Sequence, residues 1–196
     1  MLFAGVDLSA NEGDALHLVG PNGIGKTSLL RILAGLRLPS QATELRGLRK
    51  DARGSVEWNG SVAFLDERPA LDEHLPLKKA LAFWCGLDRS ELLDQGETLA
   101  RLGLANLADV PVRFLSTGQR KRASLARLLS QKAKNWLLDE PLNGLDSEGV
   151  ALVERLIVEH RAARGVVVVA SHQPIDMPGA QPVDLRYWPN SPEDFE

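Results

Sequence analysis

A glycine-rich segment near the start of the chain has the residue types of a phosphate-binding loop. It fits the pattern G-x-x-x-x-G-K-[ST], follows a predicted strand and precedes a predicted helix. The inward N–H groups of such a loop and the positive end of the helix favour a bound phosphate. We expect Lys26 to bridge the β- and γ-phosphates and Thr27 to ligate Mg²⁺. The predicted nucleotide-binding residues here are Gly20, Pro21, Asn22, Gly23, Ile24, Gly25, Lys26, Thr27 and Ser28.

Two adjacent carboxylates follow a second hydrophobic run, at residues 136–138. Asp139, at the end of a strand, is placed to hold the Mg²⁺ shell, and Glu140 to polarise an attacking water. Acidic pairs after strands are common, so this pair alone is a weak signal. Combined with the phosphate loop it is a strong one, because phosphoryl hydrolysis needs both groups in one site.

A third segment, at residues 115–119, reads Leu-Ser-Thr-Gly-Gln and precedes a strongly helical run. Ser116 suits the cap of that helix, and Gly118 lets a phosphate approach closely. A capped helix explains the segment by itself, whereas its place shortly before the carboxylate pair favours a nucleotide role. The basic residues at 120–122 are expected to form a solvated helix face. The further predicted nucleotide-binding residues are Ser116, Thr117, Gly118 and Gln119.

The elements that must position these groups follow from hydrophobic patterning. Short apolar runs predict strands, and leucines at helical spacing predict helices between them, which together indicate an α/β fold with a parallel sheet covered on both faces. A leucine-rich helical stretch at about 69–115 indicates an inserted subdomain. The strands are predicted at 16–19, 62–65, 136–138 and 166–170, with a late edge strand at 183–188, and a helix at 147–160.

Composition limits the classes of function. The chain has 196 residues, a formal charge of −3 and a pI of about 5.9. This mild acidity argues against a nucleic-acid partner, which attracts basic proteins. One cysteine excludes a disulfide framework. The most apolar short run, 166–170, is far shorter than the roughly 20 residues of a membrane-spanning helix.

The order and spacing of these motifs, together with Gly-Leu-Asp at 144–146 and a histidine at 172, resemble the ATPase subunits of ABC transporters. This resemblance implies a P-loop NTPase (RecA-like) core with an inserted ABC-type helical subdomain. It gives one domain over 1–196, with the core at 1–66 and 116–196 and the helical subdomain at 67–115.

The resemblance also implies how the residues act. Two copies would pair head to tail as a homodimer, with ATP and Mg²⁺ held between the Lys26 loop of one copy and Ser116–Gln119 of the other. Asp146 would lie in the loop that crosses between the two sites. His172 would contact the γ-phosphate and position water near Glu140, which makes Glu140 and His172 the predicted catalytic residues and Thr27 and Asp139 the metal ligands.

A narrower resemblance is to the ATP-binding subunits of the haem exporters of bacterial cytochrome c maturation. It rests on residues 2–6, on residues 75–84 with their terminal Phe83-Trp84, and on His172-Gln173-Pro174. It implies an ATPase that powers haem delivery, with integral membrane subunits as partners. Such a subunit would be peripheral on the cytoplasmic face of the cell inner membrane.

Two positions depart from the ABC pattern. Phe3 is the only early aromatic and is expected in the core, so an adenine-stacking residue is lacking. Arg68 takes the place of a glutamine that normally meets Mg²⁺, and Asp66 or Glu67 would have to substitute, because arginine has no acceptor atom. Three alternatives stay open: an exporter of another substrate, a non-transport ABC ATPase acting on nucleic acid or ribosomes, and a module without turnover.

Overall fold

A parallel sheet forms the centre of the molecule. The computed structural model describes residues 5–38, 54–66, 70–87 and 95–188. Within them the strands lie in the order β2-β3-β4-β1-β5, and every neighbouring pair is parallel. The predicted parallel α/β sheet is confirmed. The strands are β1 (Ala15–Val19), β2 (Val62–Leu65), β3 (Asn135–Asp139), β4 (Val166–Ala170) and β5 (Gln181–Asp184).

The register aligns the carboxyl ends of the three central strands. Ala170 of β4 pairs with Leu18 of β1 on one side and with Asp139 of β3 on the other. Because parallel strands end at the same edge of a sheet, the segments that follow these three strands emerge side by side. The predicted phosphate loop, carboxylate pair and histidine all belong to these segments.

Five α-helices occur in the described residues, and none of those helices is long and apolar enough to cross a membrane. Two begin with side-chain caps: Ser116 caps α4 and Asp146 caps α5. The first helix ends just before Gly35, whose φ of +71° suits glycine after a helix. The helices are α1 (Lys26–Leu33), α2 (Leu77–Leu87), α3 (Gln95–Arg101), α4 (Thr117–Ser130) and α5 (Ser147–Ala162).

The central strands are buried on both faces, because helices pack on each side of the sheet. Val168 of β4 packs in one hydrophobic cluster with Leu30 of α1. Its neighbour Val167 belongs to the other cluster, with Leu156 of α5 and Leu128 of α4. This alternation is the two-residue period of a strand, and it explains why β3 and β4 are nearly continuous apolar runs.

Between β2 and α4, the described residues form α2, α3 and two short 3-10 helices. Leu77 and Leu81 of α2 and Leu99 of α3 pack in the same cluster as Ala123 of α4. The helical segment and the sheet therefore share one continuous core. The division into a core and a 67–115 subdomain stays a prediction.

The last strand differs from the sequence prediction. The edge strand expected at 183–188 occurs earlier, as Gln181–Asp184, and a 3-10 helix follows at Leu185–Tyr187. Pairing stops because β1 itself ends at Val19, opposite Asp184. Asp184 then caps the turn, as its Oδ1 accepts the Arg186 N–H at 3.0 Å.

A half-buried histidine joins α5 to β3. The His160 ring stacks on Trp136, with centroids 3.8 Å apart, and its Nε2 lies 3.1 Å from the Lys134 carbonyl oxygen. Gly165 is required opposite this ring, because a Cβ there would meet Nε2 at 2.1 Å. Burial lowers the pKa of His160 below its ordinary 6.5, although hydrogen bonds with the backbone of Lys134 and Val166 oppose the shift.

We expect this histidine to make stability depend on pH. Below the ordinary value of 6.5 the unfolded chain binds a proton at His160 that the folded chain does not. The free energy of unfolding therefore decreases as the pH is lowered from 6.5 to the lowered pKa of the folded state. In urea unfolding between about pH 7.5 and 5.5, His160→Gln should flatten this slope. His74→Gln, at an exposed position, is the matched control. Identical slopes in wild type and His160→Gln would contradict the assignment.

Candidate nucleotide-binding site

The predicted phosphate loop connects β1 to α1. Gly25, directly before the helix, has a φ of +115°, and Gly20 has a φ of +135°. A Cβ at Gly20 would also lie 3.2 Å from a side-chain carbon of Ile24, which packs into the core. Glycine is therefore needed at both ends of the loop, while its tip, Pro21–Gly23, stays open to solvent.

The loop holds a buried ammonium group. Lys26 Nζ donates to the carbonyl oxygen of Gly20 at 2.7 Å and to that of Pro21 at 3.2 Å. These two bonds use two of the three N–H donors of the ammonium. The charge is held beside the loop backbone at the start of α1, the place where a phosphate is best received.

Two predicted metal ligands lie side by side. The Thr27 hydroxyl donates to Asp139 Oδ1 at 3.1 Å, and Asp139 is buried at the end of β3. Mg²⁺ is commonly bound by one or two protein oxygens together with phosphate and water oxygens. A hydroxyl and a carboxylate in contact at the first turn of α1 fit this ligand set.

The predicted catalytic pair is also in contact. Glu140 Oε2 lies 2.8 Å from His172 Nδ1 and accepts the His172 backbone N–H at 3.3 Å. The Glu140 side chain is 15% exposed and that of His172 49%, so the pair opens to solvent on the histidine side. Glu140 has a φ of +46°, rare for a residue with a side chain, and its N–H donates to the Ala170 carbonyl oxygen at 2.8 Å.

The signature segment begins α4 with a reciprocal cap. Gln119 N–H donates to Ser116 Oγ at 3.2 Å, and Ser116 N–H donates to Gln119 Oε1 at 2.8 Å. Ser116 and Thr117 are exposed. These two cap bonds are made within the segment itself. The structure thus brings the predicted metal ligands together as one pair and the predicted catalytic residues as another, while Lys26 bonds to its own loop.

A second contact fixes the start of α4 against the loop before α5. A Cβ on Gly118 would meet the Gly144 carbonyl oxygen at 3.1 Å, and Gly144 has a φ of +78°. Asp146 Oδ1 accepts the Gly149 N–H at 2.8 Å and pairs with Arg122 at 3.0 Å. These two partners, the backbone N–H first, lower the pKa of Asp146.

The prediction of a solvated face at 120–122 was wrong. Lys121 is only 4% exposed, and Arg122 is paired with Asp146. The signal was present in the sequence, because Lys121 stands at helical spacing from Leu125 and Leu128, which are both buried.

Sequence reasoning also missed how the loop after β4 is fixed. Gln173 Nε2 donates to Asn143 Oδ1 at 3.2 Å, and Ser171 Oγ bonds to the Gln173 backbone at 2.9 and 3.1 Å. These bonds tie the segment that carries His172 to the segment after Glu140. No local signal predicts a pairing between such distant positions.

Phe3, Glu67 and Arg68 lie outside the described residues. Of the residues considered as substitutes for the missing glutamine, Asp66 is described, and its carboxylate pairs with Arg31 at 3.4 Å.

Comparison with known proteins decides the family. The family described as ABC transporter matches residues 3–143, most of the chain. The chain belongs to the ABC transporter family. The predicted P-loop NTPase fold and ATP-hydrolysing activity are thereby confirmed.

Individual ABC relatives agree with this assignment. The chain is 47% identical to the cytochrome c biogenesis ATP-binding export protein CcmA of Novosphingobium aromaticivorans, covering 95% of this chain and 88% of the relative. It is 46% identical to the protein of the same name from Zymomonas mobilis, a match that covers 95% of this chain and 78% of the relative. A solved structure, described as an inward-facing conformation of a metal-chelate type ABC transporter, matches with a TM-score of 0.69 and 25% identity. The match covers 86% of this chain and 67% of the solved chain.

We expect Gly144→Ala to destabilise this ABC domain. The substitution places a Cβ 2.6 Å from Thr117 Cγ2 and forces alanine to a φ of +78°, which together should lower the free energy of unfolding by about 1–3 kcal/mol. Gly35→Ala is the matched control, because its φ of +71° is similar and no atom lies within 4 Å of its Cβ.

Denaturant unfolding of the double variant Thr117→Ser, Gly144→Ala separates the steric part of this loss in free energy of unfolding from the backbone part. Thr117→Ser removes Cγ2, so Gly144→Ala should be milder in that background. Equal losses in both backgrounds, or equal losses for Gly144→Ala and Gly35→Ala, would contradict the contact.

Proposed function

We propose that this chain is the ATP-hydrolysing subunit of an ABC transporter complex that exports haem in cytochrome c biogenesis. The observation that carries the enzymatic part is the pair of contacts at one sheet edge, Thr27 with Asp139 and Glu140 with His172. The cargo rests on the relatives named as cytochrome c biogenesis export proteins and on the His172-Gln173-Pro174 resemblance.

Nucleotide binding is assigned to the loop from Gly20 to Ser28. Its N–H groups and the α1 N-terminus receive the phosphates, and the Lys26 ammonium neutralises their charge. Thr27 and Asp139 would hold Mg²⁺, which would offset the charge that develops on the phosphates. The buried position of Asp139 limits competing water and fixes the carboxylate before the nucleotide arrives.

Hydrolysis is assigned to Glu140 and His172. Both His172 contacts use Oε2 of Glu140, which leaves Oε1 to accept the proton of an attacking water. An ionised Glu140 requires the imidazole hydrogen to lie on Nδ1, so Glu140 fixes the tautomer and the orientation of the His172 ring. The same contacts position the carboxylate, and we assign the solvent-exposed part of the His172 ring to contact with a γ-phosphate.

A homodimer would complete the site. Ser116 and Thr117 are exposed, and Phe114, just before them, is 67% exposed with Arg113 over its ring. A second copy facing this surface would cover the aromatic and place the signature segment, Ser116–Gln119, on the nucleotide of the first. ATP then binds the pair better than either copy alone, and this difference in affinity closes the dimer.

The membrane partners have a candidate docking groove. A cavity of about 340 Å³ opens between β2, α2 and α4, and Arg127 lies 3.5 Å over the Trp84 ring at its wall. Phe83 and Leu87 of α2 are 58% and 59% exposed. We assign this groove, whose lining is partly apolar and partly polar, to a cytoplasmic segment of an integral membrane subunit, which would hold the ATPase on the cytoplasmic face of the inner membrane.

Glu140→Gln tests the catalytic assignment. The amide keeps the size of the side chain and cannot take the proton of water, so turnover should fall by about 10²–10⁴-fold. The variant should also accumulate as a MgATP-bound dimer in size-exclusion chromatography. Glu159→Gln, an exposed position on α5, is the matched control. Turnover equal to that of the control would remove Glu140 as the base.

Thr27→Val tests the metal ligands. The substitution keeps the branched shape and removes the hydroxyl that lies 3.1 Å from Asp139, so the Mg²⁺ concentration for half-maximal ATPase activity should rise roughly 10- to 100-fold. Thr27→Ser retains the hydroxyl and should stay close to wild type. The same Mg²⁺ dependence in both variants would contradict this ligand set.

A further inference from the structure

A buried lysine connects the signature helix to the proposed catalytic base. Lys121 of α4 is 4% exposed, and its Nζ donates to the Glu140 carbonyl oxygen at 3.0 Å. A buried ammonium is expensive unless it is paired, and an apolar side chain would fill the same core position more cheaply. A role for Lys121 beyond packing is therefore indicated by its contact.

The contact falls on a strained residue. The φ of +46° at Glu140 is unfavourable for a side chain of its size, so bonds around it must keep it in place. Among the described residues, three bonds reach its backbone: its N–H donates to the Ala170 carbonyl oxygen, and its own carbonyl oxygen accepts from Asn143 N–H at 3.3 Å and from Lys121 Nζ. Of these three backbone bonds, that from Lys121 is the one made by a side chain and the one made by a helix.

The helix that supplies this bond begins with the signature segment. Residues 116–119 form the reciprocal cap of α4, and Lys121 lies in its next turn. Two further contacts join the same helix to the segment that follows Glu140, namely Arg122 with Asp146 and Gly118 against Gly144. A shift at the start of α4 must therefore displace the support of Glu140.

We propose that Lys121 is a positioning residue that holds Glu140 in its working conformation and links it to the signature segment of the same copy. This inference rests on the proposed function. In the proposed head-to-tail dimer, the signature segment of one copy contacts the nucleotide held by the phosphate loop of its partner. Glu140 of that same copy acts on the nucleotide held by its own phosphate loop. Lys121 thus makes the base of each site respond to nucleotide in the opposite one.

The first test needs no nucleotide. In the full chain with ¹⁵N-labelled histidine, the His172 ring signals report on its contact with Glu140. Lys121→Met should shift these signals, and Lys121→Arg, which keeps a charged donor, should return them towards wild type. Lys134→Met makes the same change at a partly exposed ion pair with Glu12 and is the matched control. Lys121→Gln is the second neutral variant, used if the methionine chain does not fold.

The second test is kinetic. Lys121→Met should lower kcat for MgATP by about tenfold or more with little change in KM, because a displaced base impairs the step and not the binding. The Hill coefficient for ATP should move towards one, since the sites no longer communicate. Lys121→Arg should recover most of both. A purely structural lysine would lower the melting temperature and leave the Hill coefficient unchanged.

The outcomes separate the two claims. His172 signals that respond to Lys121→Met no more than to Lys134→Met would overturn the positioning role, whatever the chain hydrolyses. Unchanged cooperativity with shifted signals would overturn the link between sites. A wild-type chain without MgATP turnover would refute the proposed function, and the nucleotide-free spectra would still decide whether Lys121 positions Glu140.

Discussion

The alignment of three parallel strands at one edge of the sheet is the constraint on which the site depends. Leu18, Ala170 and Asp139 form one row across β1, β4 and β3. Gly20, Glu140 and His172 each lie within two residues of that row. A shift of one strand by a single residue would move each of its side chains from one hydrophobic cluster to the other. The packing of these clusters therefore fixes the register, and the register fixes the distances between the functional groups.

Backbone carbonyl groups stabilise the charges that this edge requires. Lys26 is satisfied by carbonyl oxygens of the phosphate loop, and Lys121 by that of Glu140. The Lys26 ammonium donates here to backbone oxygens of its own loop. A phosphate can then compete for Lys26 without breaking an ion pair, which keeps the site charged and ordered before the nucleotide arrives.

The sequence predicted what local chemistry determines. Glycine spacing located the phosphate loop, and apolar runs located β1 to β4, most clearly β3 and β4, because burial on both faces leaves few other choices. The meeting of Glu140 with His172 could be expected only through the family resemblance, since it joins residues on different strands. Lys121 was wrongly predicted to be solvated because its charge was given more weight than its helical spacing from buried leucines. The end of β5 could not be predicted locally, because it depends on where its partner strand β1 ends. The Gln173–Asn143 bond is a tertiary contact with no local signal.

The central claim is that the edge formed by Lys26, Thr27 and Asp139 binds a magnesium–nucleoside triphosphate. Equilibrium dialysis of the full-length folded chain against radiolabelled ATP tests it most directly. The account predicts saturable retention approaching one nucleotide per chain, strongly reduced by removing Mg²⁺ and by Lys26→Ala. Retention indistinguishable between wild type and Lys26→Ala, or no retention in a folded sample, would contradict it.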